Sequence, residues 1–414
     1  MRVLVGNKFY FELGGTERYV FQLEQMLRER GHEVIPFATR DPRNRDTAFE
    51  RYFVEPVDYD ALLGRARPVA AVLAAFRAIH SQEAKAKVQK LARETRPQIA
   101  HLHNVYHQIS PSVLPALREL GVPIVLTLHD LKVLCPGYRM YSNGKICERC
   151  ASGAFYHAAR HRCLKNSLAA SLVATIEAYV HAGRKTYEHN VTIFIAPSRF
   201  LMSKLARSRF GTARVEYLPH PIDLETFRPD HGSRGYFVYY GRLAREKGVL
   251  TLLAAAARLR ASRFVIAGDG PYRGEIERCA DRLGLRNVEF VGFRRGEELR
   301  AIVRGSAATV VPSEWYENAP FSLYESFALG KTVVASRIGG IPELVDHGED
   351  GLLFTPGNDE ALAEQLSFLW NHPSLAVEMG RRARSKAESN WGFEQHYGRL
   401  MQVYESAMNS SASG

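Results

Sequence analysis

The chain has 414 residues, of which 46% are hydrophobic and 24% charged, with 32 Gly and 19 Pro. At roughly 150 residues per domain, this length accommodates two or three domains that each bury a core. The composition excludes small disulfide-stapled scaffolds, collagen-like chains and low-complexity chains. Residues 1–223 contain 32 Lys and Arg against 20 Asp and Glu, which is all of the excess positive charge. A basic half is expected to face an anionic partner such as membrane headgroups, nucleic acid or a phosphorylated acceptor.

The N-terminus, MRVLVGNKF, lacks the apolar core of a signal peptide. No window approaches the roughly 18 uncharged apolar residues that a membrane-spanning helix needs. We therefore expect a cytoplasmic protein. Five cysteines are too few to staple a chain of this length, and disulfides are rare in a reducing compartment.

Short apolar or β-branched runs alternate with helical patterns along the chain, which predicts an α/β fold with parallel sheets and crossover helices. In the first half, the predicted strands are residues 2–5, 33–38, 98–101, 123–127, 192–196 and 215–218. In the second half, they are residues 236–240, 264–267, 288–290, 309–311 and 332–335.

The first helix is expected just after Gly14 and Gly15, with Thr16 as its N-cap. No Gly-x-Gly-x-x-Gly or Walker sequence is present, which argues against a dinucleotide-binding or NTP-hydrolysing protein. Backbone amides at this turn could still hold a phosphate.

The longest helical pattern covers residues 69–94 and is basic. Its cations are Arg77, Lys85, Lys87, Lys90 and Arg93. Two interpretations stay open: a packed surface helix with a basic outer face, or an interfacial helix that lies on an anionic membrane.

His129 and Asp130 end a predicted strand in the sequence VLTLHDL. This position lies at the carboxyl edge of a parallel sheet, where ligands bind in such folds. A single His is compatible with a structural as well as a functional role.

Residues 219–235, PHPIDLETFRPDHGSRG, are dense in Pro, Gly and charge and are predicted to form a hinge. We expect one doubly wound domain at residues 1–223 and a second at 224–392. Residues 393–414 should form a helix whose apolar stripe could return to the first domain.

After the first strand of the second domain comes GRLAREKG, which contains Gly241, Arg242 and Lys247. Gly241 lets a ligand approach the backbone, and the two cations could hold a diphosphate. An ordinary basic helix start is the alternative, although the helix macrodipole disfavours cations at this end.

Glu317 and Glu325 flank the start of a helix predicted at residues 320–329, with Pro320 in its first position. The amides of Phe321, Ser322 and Leu323 are expected to be unpaired donors there. Two carboxylates with free amides could bind a polyol, for example a ribose at Glu325. A capping acid with an unrelated surface acid is the alternative.

Six motifs in order resemble glycosyltransferase family four. They are GGTE at residues 14–17, HD at 129–130, GRLAREKG at 241–248, AGDGP at 267–271, Glu-x7-Glu at 317–325 and GGIPEL at 339–344. The resemblance covers nearly the whole chain. It implies the GT-B fold, in which two Rossmann-like domains face each other across a cleft. It also implies transfer from a nucleotide sugar with retention of anomeric configuration and without a catalytic metal.

The resemblance also implies roles for individual residues. Arg242 and Lys247 would bind the donor diphosphate with help from Gly15, and Glu317 would contact the donor sugar. Glu325 would bind the ribose, and His129 would lie near the transferring centre. The remaining donor-site positions are Gly14, Gly241, the base-binding Gly292 and Phe293, and the backbone donors Asn318, Ala319, Pro320 and Phe321.

Four cysteines depart from the family pattern, within an insertion at residues 131–165. Cys135, Cys147, Cys150 and Cys163 have the spacing C-x11-C-x2-C-x12-C. They could bind a structural Zn2+, with His157 or His161 as substitute ligands, remain reduced thiols, or form disulfides.

We therefore expect a retaining glycosyltransferase of surface polysaccharide or glycolipid assembly, acting at the inner face of the cytoplasmic membrane. Its donor would be a UDP- or GDP-linked sugar, and its acceptor a glycan or a lipid diphosphate. Front-face attack with the leaving phosphate as base is the preferred mechanism. The alternatives are a GT-B epimerase or phosphorylase and a non-catalytic basic binding protein; nucleic acid is not expected as a partner.

Overall fold

A computed structural model describes residues 1–57 and 75–412. These residues divide into two compact units. Among the described residues, the first unit comprises 1–57, 75–142, 147–219 and 397–412, and the second comprises 143–146 and 220–396. The chain therefore passes between the units after residues 142, 146, 219 and 396, where the sequence placed two boundaries, at 223 and 392. Among the described residues, no helix has both the length and the hydropathy to cross a bilayer.

The first unit is built around a parallel six-stranded sheet. Its strands are β1 (Arg2–Gly6), β2 (Glu33–Phe37), β3 (Ile99–Leu102), β4 (Ile124–Thr127), β7 (Ile193–Ala196) and β8 (Val215–Tyr217), in the order β2-β1-β3-β4-β7-β8. The insertion contributes the two-residue strands β5 (Tyr141–Ser142) and β6 (Lys145–Ile146). Strands β3, β4 and β7 are buried at every residue. Strands covered on both faces read as continuous apolar runs, which is why the sequence located them to within about one residue.

Helices cover this sheet. They are α1 (Gly15–Glu29), α2 (Gln82–Thr95), α3 (Val113–Arg118), α4 (Tyr156–Arg160), α5 (Leu168–Gly183), α6 (Thr186–Asn190) and α7 (Arg199–Ala206), with a 3-10 turn at Glu50–Tyr52. Helix α1 begins two residues earlier than an N-cap at Thr16 predicts. Its N-cap is Gly14, so the prediction of Thr16 as the cap was wrong. A glycine is acceptable at an N-cap because the cap residue lies outside the helical conformation.

The predicted helix at residues 69–94 is not continuous. Residues 75–79 are helical, residues 80 and 81 are not, and α2 starts at Gln82. The Ser81 side chain accepts a hydrogen bond from the Ala84 amide at 3.1 Å, which caps α2 and separates it from the preceding turn. Residues 69–74 of the prediction lie outside the described residues.

The second unit repeats the architecture with a second parallel six-stranded sheet. Its strands are β9 (Tyr236–Tyr240), β10 (Arg263–Ala267), β11 (Val288–Gly292), β12 (Ala308–Val311), β13 (Val333–Ser336) and β14 (Gly351–Phe354), in the order β11-β10-β9-β12-β13-β14. The helices are α8 (Val249–Arg258), α9 (Arg273–Arg282), α10 (Gly296–Arg304), α11 (Phe321–Ala328), α12 (Ile341–Leu344), α13 (Asp359–Asn371) and α14 (Pro373–Asn390), with a 3-10 turn at Arg245–Lys247. Strand order reverses between β9 and β12, which makes their carboxyl ends the switch point of this sheet.

The last helix, α15 (Phe393–Ala412), packs on the first unit from Tyr397 onward. The Tyr404 hydroxyl is fully buried and lies 2.7 Å from Nδ1 of His101 on β3. The Tyr397 hydroxyl lies 2.7 Å from Nε2 of His32. The C-terminal segment is therefore part of the first unit's core.

Candidate functional site

The carboxyl edge of the second sheet brings several predicted residues together. Gly241 follows β9, and its amide donates to the Ala267 carbonyl at 3.0 Å; the Gly268 amide donates to the Gly292 carbonyl at 2.8 Å. The loops after β9, β10 and β11 are therefore in register, with little side-chain bulk between them. Phe293, beside Gly292, is 65% exposed and offers a free aromatic face.

Lys247 and Glu317 meet at the switch point. The Lys247 ammonium lies 2.7 Å from Oε1 of Glu317, although 70 residues separate them in sequence. The ammonium also lies 5.1 Å from the centroid of the Trp315 ring, within cation–π distance. Lys247 reaches this place because Gly248 takes a left-handed φ of +68° and a Cβ there would lie 1.8 Å from the Pro312 carbonyl oxygen.

Glu317 is held by two further donors. Ser313 Oγ donates to its Oε1 at 2.6 Å, and Trp315 Nε1 donates to the same oxygen at 2.9 Å. Burial raises the pKa of this carboxyl, but the Lys247 charge and the three hydrogen bonds outweigh burial and leave the pKa below its ordinary value. Glu317 is therefore an ionised carboxylate at neutral pH. In the part of the chain that the structure describes, these side-chain bonds all end on Oε1.

The backbone of Glu317 is fixed by the GGIPEL segment. The Gly340 amide donates to the Glu317 carbonyl at 2.8 Å. Gly339 has a left-handed φ of +59°, and a Cβ there would lie 2.2 Å from the same carbonyl oxygen. Only glycine fits this contact. The GGIPEL glycines therefore hold the backbone of Glu317 in place, although the two segments are distant in the sequence.

Arg242 does not contact Glu317. Its guanidinium donates to Oε1 of Glu246 at 2.7 Å, and the Arg242 side chain is 54% exposed. Glu246 itself is buried, and its carbonyl accepts the Glu314 amide at 2.9 Å. Arg242 is thus a half-exposed cation that a buried acid holds through one terminal nitrogen, and its remaining guanidinium N–H groups can bind a ligand.

The start of α11 differs from the prediction in two respects. Pro320 is the N-cap of the helix and not its first residue, and the Leu323 amide is not free because it donates to the Pro320 carbonyl at 3.0 Å. Pro320 also has no N–H, so it cannot be one of the backbone donors. The donor roles of Asn318, Ala319, Phe321 and Ser322 stay predictions. Glu325 lies inside α11 and is 3% exposed.

In the first unit, His129 follows β4 and His103 follows β3. The two rings are joined by a hydrogen bond of 3.1 Å between His103 Nδ1 and His129 Nε2, and the Tyr19 ring packs edge-on against His129 at 5.1 Å. Burial lowers the pKa of His129 to about 3. His129 is therefore a neutral imidazole near pH 7, which suits hydrogen bonding to a sugar and not donation of a proton from imidazolium.

Gly14 and Gly15 lie at the start of α1, whose first turn contains the buried Glu17. Asn7 Nδ2 donates to Glu17 Oε1 at 3.2 Å, which ties this turn to the end of β1. The glycine pair is consequently on the same sheet edge as His103 and His129.

Two lysines on this edge, Lys8 and Lys132, were missed in the sequence. Lys8 lies over the rings of Phe9 and Tyr106, at 4.8 and 5.4 Å from their centroids. Lys132 pairs with the buried Glu177 at 2.8 Å, and its amide donates to Oδ1 of Asp130 at 2.8 Å. Among the described residues, Lys8 has no carboxylate within ion-pair distance. The sequence could have indicated Lys8, because it lies two residues after the first strand, at the ligand-binding edge of a parallel sheet.

The four clustered cysteines are free thiols. Of the three alternatives left open, the structure therefore has the reduced thiols and not the disulfides. A hydrogen bond from the Cys150 thiol lowers the pKa of Cys135, and the same bond raises the pKa of Cys150. Within residues 1–57 and 75–412, no group of three or more His, Cys, Asp or Glu side chains is arranged to hold a metal ion. The structural zinc therefore has no geometric support and stays a prediction.

Two family models match the chain. Residues 13–226 match the model described as Glycosyltransferase Family 4, and residues 225–386 match the model described as Glycosyl transferases group 1. Together the two matches extend over both units.

Individual proteins and structures are also similar. The chain is 34% identical over 213 residues to D-rhamnosyltransferase WbpZ of Pseudomonas aeruginosa, a match that covers 48% of this chain and 55% of that protein. The match thus spans about half the length of this relative. The sucrose-phosphate synthase from Thermosynechococcus elongatus superposes with a TM-score of 0.74 at 20% identity over 99% of both chains. Anabaena HepE in complex with UDP-glucose gives a TM-score of 0.68 at 18% identity over 98% of this chain and 100% of that one. At these identities the structural likeness concerns the fold.

Proposed function

The chain belongs to glycosyltransferase family 4, and we propose on that premise that it transfers a sugar from a nucleotide-diphosphate sugar to a glycan or a lipid-linked acceptor. Its two parallel six-stranded sheets in an α/β arrangement are those of the GT-B fold. The observation that carries the proposal is the Lys247–Glu317 pair at the switch point of the second sheet. An ammonium and an ionised carboxylate fixed there match the two ends of a sugar diphosphate.

Lys247 and Arg242 provide positive charge for the leaving diphosphate. As the bond between the anomeric carbon and the diphosphate oxygen breaks, negative charge grows on the phosphate oxygens. Fixed cations stabilise that charge more in the transition state than in the ground state, so they raise turnover as well as donor affinity. Since two side-chain cations fill this role, the chemistry needs no catalytic metal.

Glu317 and Glu325 orient the donor. The bonds from Lys247, Ser313 and Trp315 occupy Oε1 of Glu317, so Oε2 can accept bonds from hydroxyls of the donor sugar. Glu325 binds the ribose hydroxyls, and Gly292 with Phe293 accommodates the base. A uridine or guanosine nucleotide fits these roles equally well.

Transfer proceeds on one face of the sugar. The acceptor hydroxyl oxygen forms the new bond to the anomeric carbon while the bond to the diphosphate oxygen breaks, and the hydroxyl proton passes to the leaving phosphate oxygen. Anomeric configuration is retained. Neutral His129 contributes a hydrogen bond and no proton, in agreement with its lowered pKa.

An anionic acceptor suits the first unit. Lys8, Lys132 and His129 lie along one sheet edge, and Lys8 has aromatic contacts and no ion-pair partner among the described residues. A phosphate next to the accepting sugar, as in a lipid diphosphate, would neutralise Lys8. On this basis, the proposed pathway is surface polysaccharide or glycolipid assembly. The proposed location is the inner face of the cytoplasmic membrane.

The test is a binding screen of UDP- and GDP-sugars, followed by turnover with the best donor and a lipid-diphosphate glycan. Lys247→Ala should lower kcat/KM by on the order of 10³-fold, about 4 kcal/mol of transition-state stabilisation, whereas the exposed Lys90→Ala should leave it unchanged. Product anomers read by NMR should keep the donor configuration. Failure to bind any nucleotide sugar, or wild-type turnover by Lys247→Ala, would refute the proposal.

A further inference from the structure

Helix α5 presents an apolar stripe to solvent. Leu168, Leu172, Ile176 and Tyr179 are 53%, 48%, 45% and 44% exposed. They recur at positions i, i+4, i+8 and i+11, so they lie on one side of the helix along about 16 Å of its axis. Single exposed leucines are common on soluble proteins, but a continuous stripe of this kind marks an interaction surface.

The opposite side of α5 is buried within the first unit. Ser171, Ala174 and Thr175 are buried, and Thr175 Oγ1 donates to the Ser171 carbonyl at 2.8 Å. Glu177, the only Asp, Glu, Lys or Arg in the helix, is buried and paired with Lys132 at 2.8 Å. Packing of the unit thus accounts for one face of α5 and leaves the stripe unexplained.

Exposed cations lie on both sides of α5 in the sequence. Arg160 and Arg162 precede α5, Arg184 and Lys185 follow it, and all four are exposed. Between residues 160 and 185 the single acid is the buried Glu177. An aliphatic stripe with cations beside it and a tyrosine at one end is the pattern of helices that lie in the interface of an anionic bilayer.

The charges distinguish a bilayer from a second copy of the chain. In a two-fold dimer through the stripe, this segment of one copy would lie against the same segment of the other. Its exposed charges are cations, so like charges would meet, which opposes association. A surface of anionic headgroups attracts these cations while it covers the apolar side chains.

We propose that the α5 stripe is a docking surface for an anionic lipid bilayer. Docking uses no residue of the donor site and does not depend on the transferase chemistry. It places the first unit against a membrane, which is where a lipid-linked acceptor would be found.

Vesicle co-sedimentation at low salt tests the proposal, with phosphatidylcholine vesicles alone and with added phosphatidylglycerol. The full chain should sediment with the mixed vesicles. The double variant Leu172→Gln/Ile176→Gln should bind them at least about tenfold more weakly, because it loses two aliphatic side chains that the bilayer would bury. Phe368→Gln, which removes a 42% exposed aromatic residue from α13, is the matched control and should bind as the wild type does.

A second variant tests the charge, and turnover separates the two proposals. Arg160→Gln/Arg184→Gln should weaken binding to the mixed vesicles, and added salt should weaken the wild type in the same way. Turnover with a water-soluble acceptor should be unchanged in both double variants. Unchanged vesicle binding by Leu172→Gln/Ile176→Gln would overturn the proposal, as would light scattering that shows a dimer abolished by this variant without any vesicle binding.

Discussion

At the scale of single residues, the chemistry of the second unit depends on one buried charge. Glu317→Gln keeps the shape of the side chain and can still accept bonds from Ser313 and Trp315, but it leaves the Lys247 ammonium without a counter-charge. We expect kcat to fall by at least about 100-fold and the thermal midpoint to drop, because breaking a buried pair costs more than the pair contributes.

The control for this variant is on the same loop. Glu314 accepts a hydrogen bond from Thr251 Oγ1 at 2.6 Å, and Glu314→Gln changes the net charge equally. Steady-state kinetics with saturating donor compare the two. A Glu317→Gln enzyme with wild-type kcat would show that the carboxylate charge has no part in transfer.

The residues of this site could be predicted only in part. Glu317 and Lys247 follow from their position after strands, since the carboxyl ends of parallel strands converge. Ser313 and Trp315 could not be chosen from the polar residues around them, because no spacing rule tells which side chain of a loop folds back onto a carboxylate. The free amide expected at Leu323 was wrong for a similar reason: a tight turn at Pro320 pairs it locally.

At the scale of elements, the loop that holds Glu317 depends on a glycine in the neighbouring segment. Gly339→Ala would bring a Cβ to 2.2 Å from the Glu317 carbonyl oxygen, at a left-handed φ of +59°. The loop must move or the backbone must change conformation. We expect a loss of stability above about 1 kcal/mol, together with lower kcat, because the carboxylate moves with its backbone.

Gly357→Ala separates backbone strain from this contact. Gly357 has a similar φ of +74°, but a Cβ added there would have no atom within 4 Å. This variant should lose about 1 kcal/mol of stability and keep its activity. Equal kinetics for the two alanine variants would show that the Gly339 contact does not position Glu317.

Strands could be predicted from the sequence where both of their faces are buried. Apolar strands at the centre of both sheets were located correctly, whereas β14, at the edge of the second sheet, was missed. The break at Ser81 was missed because a serine inside a helical pattern reads as a surface residue unless its capping bond is known.

At the scale of the whole molecule, the two units should respond differently to acid. Burial lowers the pKa of His129 to about 3 and that of His181 to about 4, and both residues lie in the first unit. In the unfolded chain these groups titrate near pH 6.5. Their contribution to stability is therefore complete above pH 6.5 and is lost as pH falls toward the folded pKa. His181 alone should cost about 2 kcal/mol between pH 7 and pH 5.

Trp315, Trp370 and Trp391 all lie in the second unit, so tryptophan fluorescence reports that unit while far-UV circular dichroism reports both. In urea titrations from pH 7 to pH 5, we expect the unfolding transition of the first unit, seen by dichroism, to move to lower urea concentration. The fluorescence midpoint, which reports the second unit, should change less. His181→Phe loses a 3.1 Å bond to Thr186 Oγ1 and is less stable at pH 7, but its dichroism midpoint should depend less on pH. An equal pH slope in His181→Phe and wild type would mean that the buried imidazole is not what makes the first unit sensitive to acid.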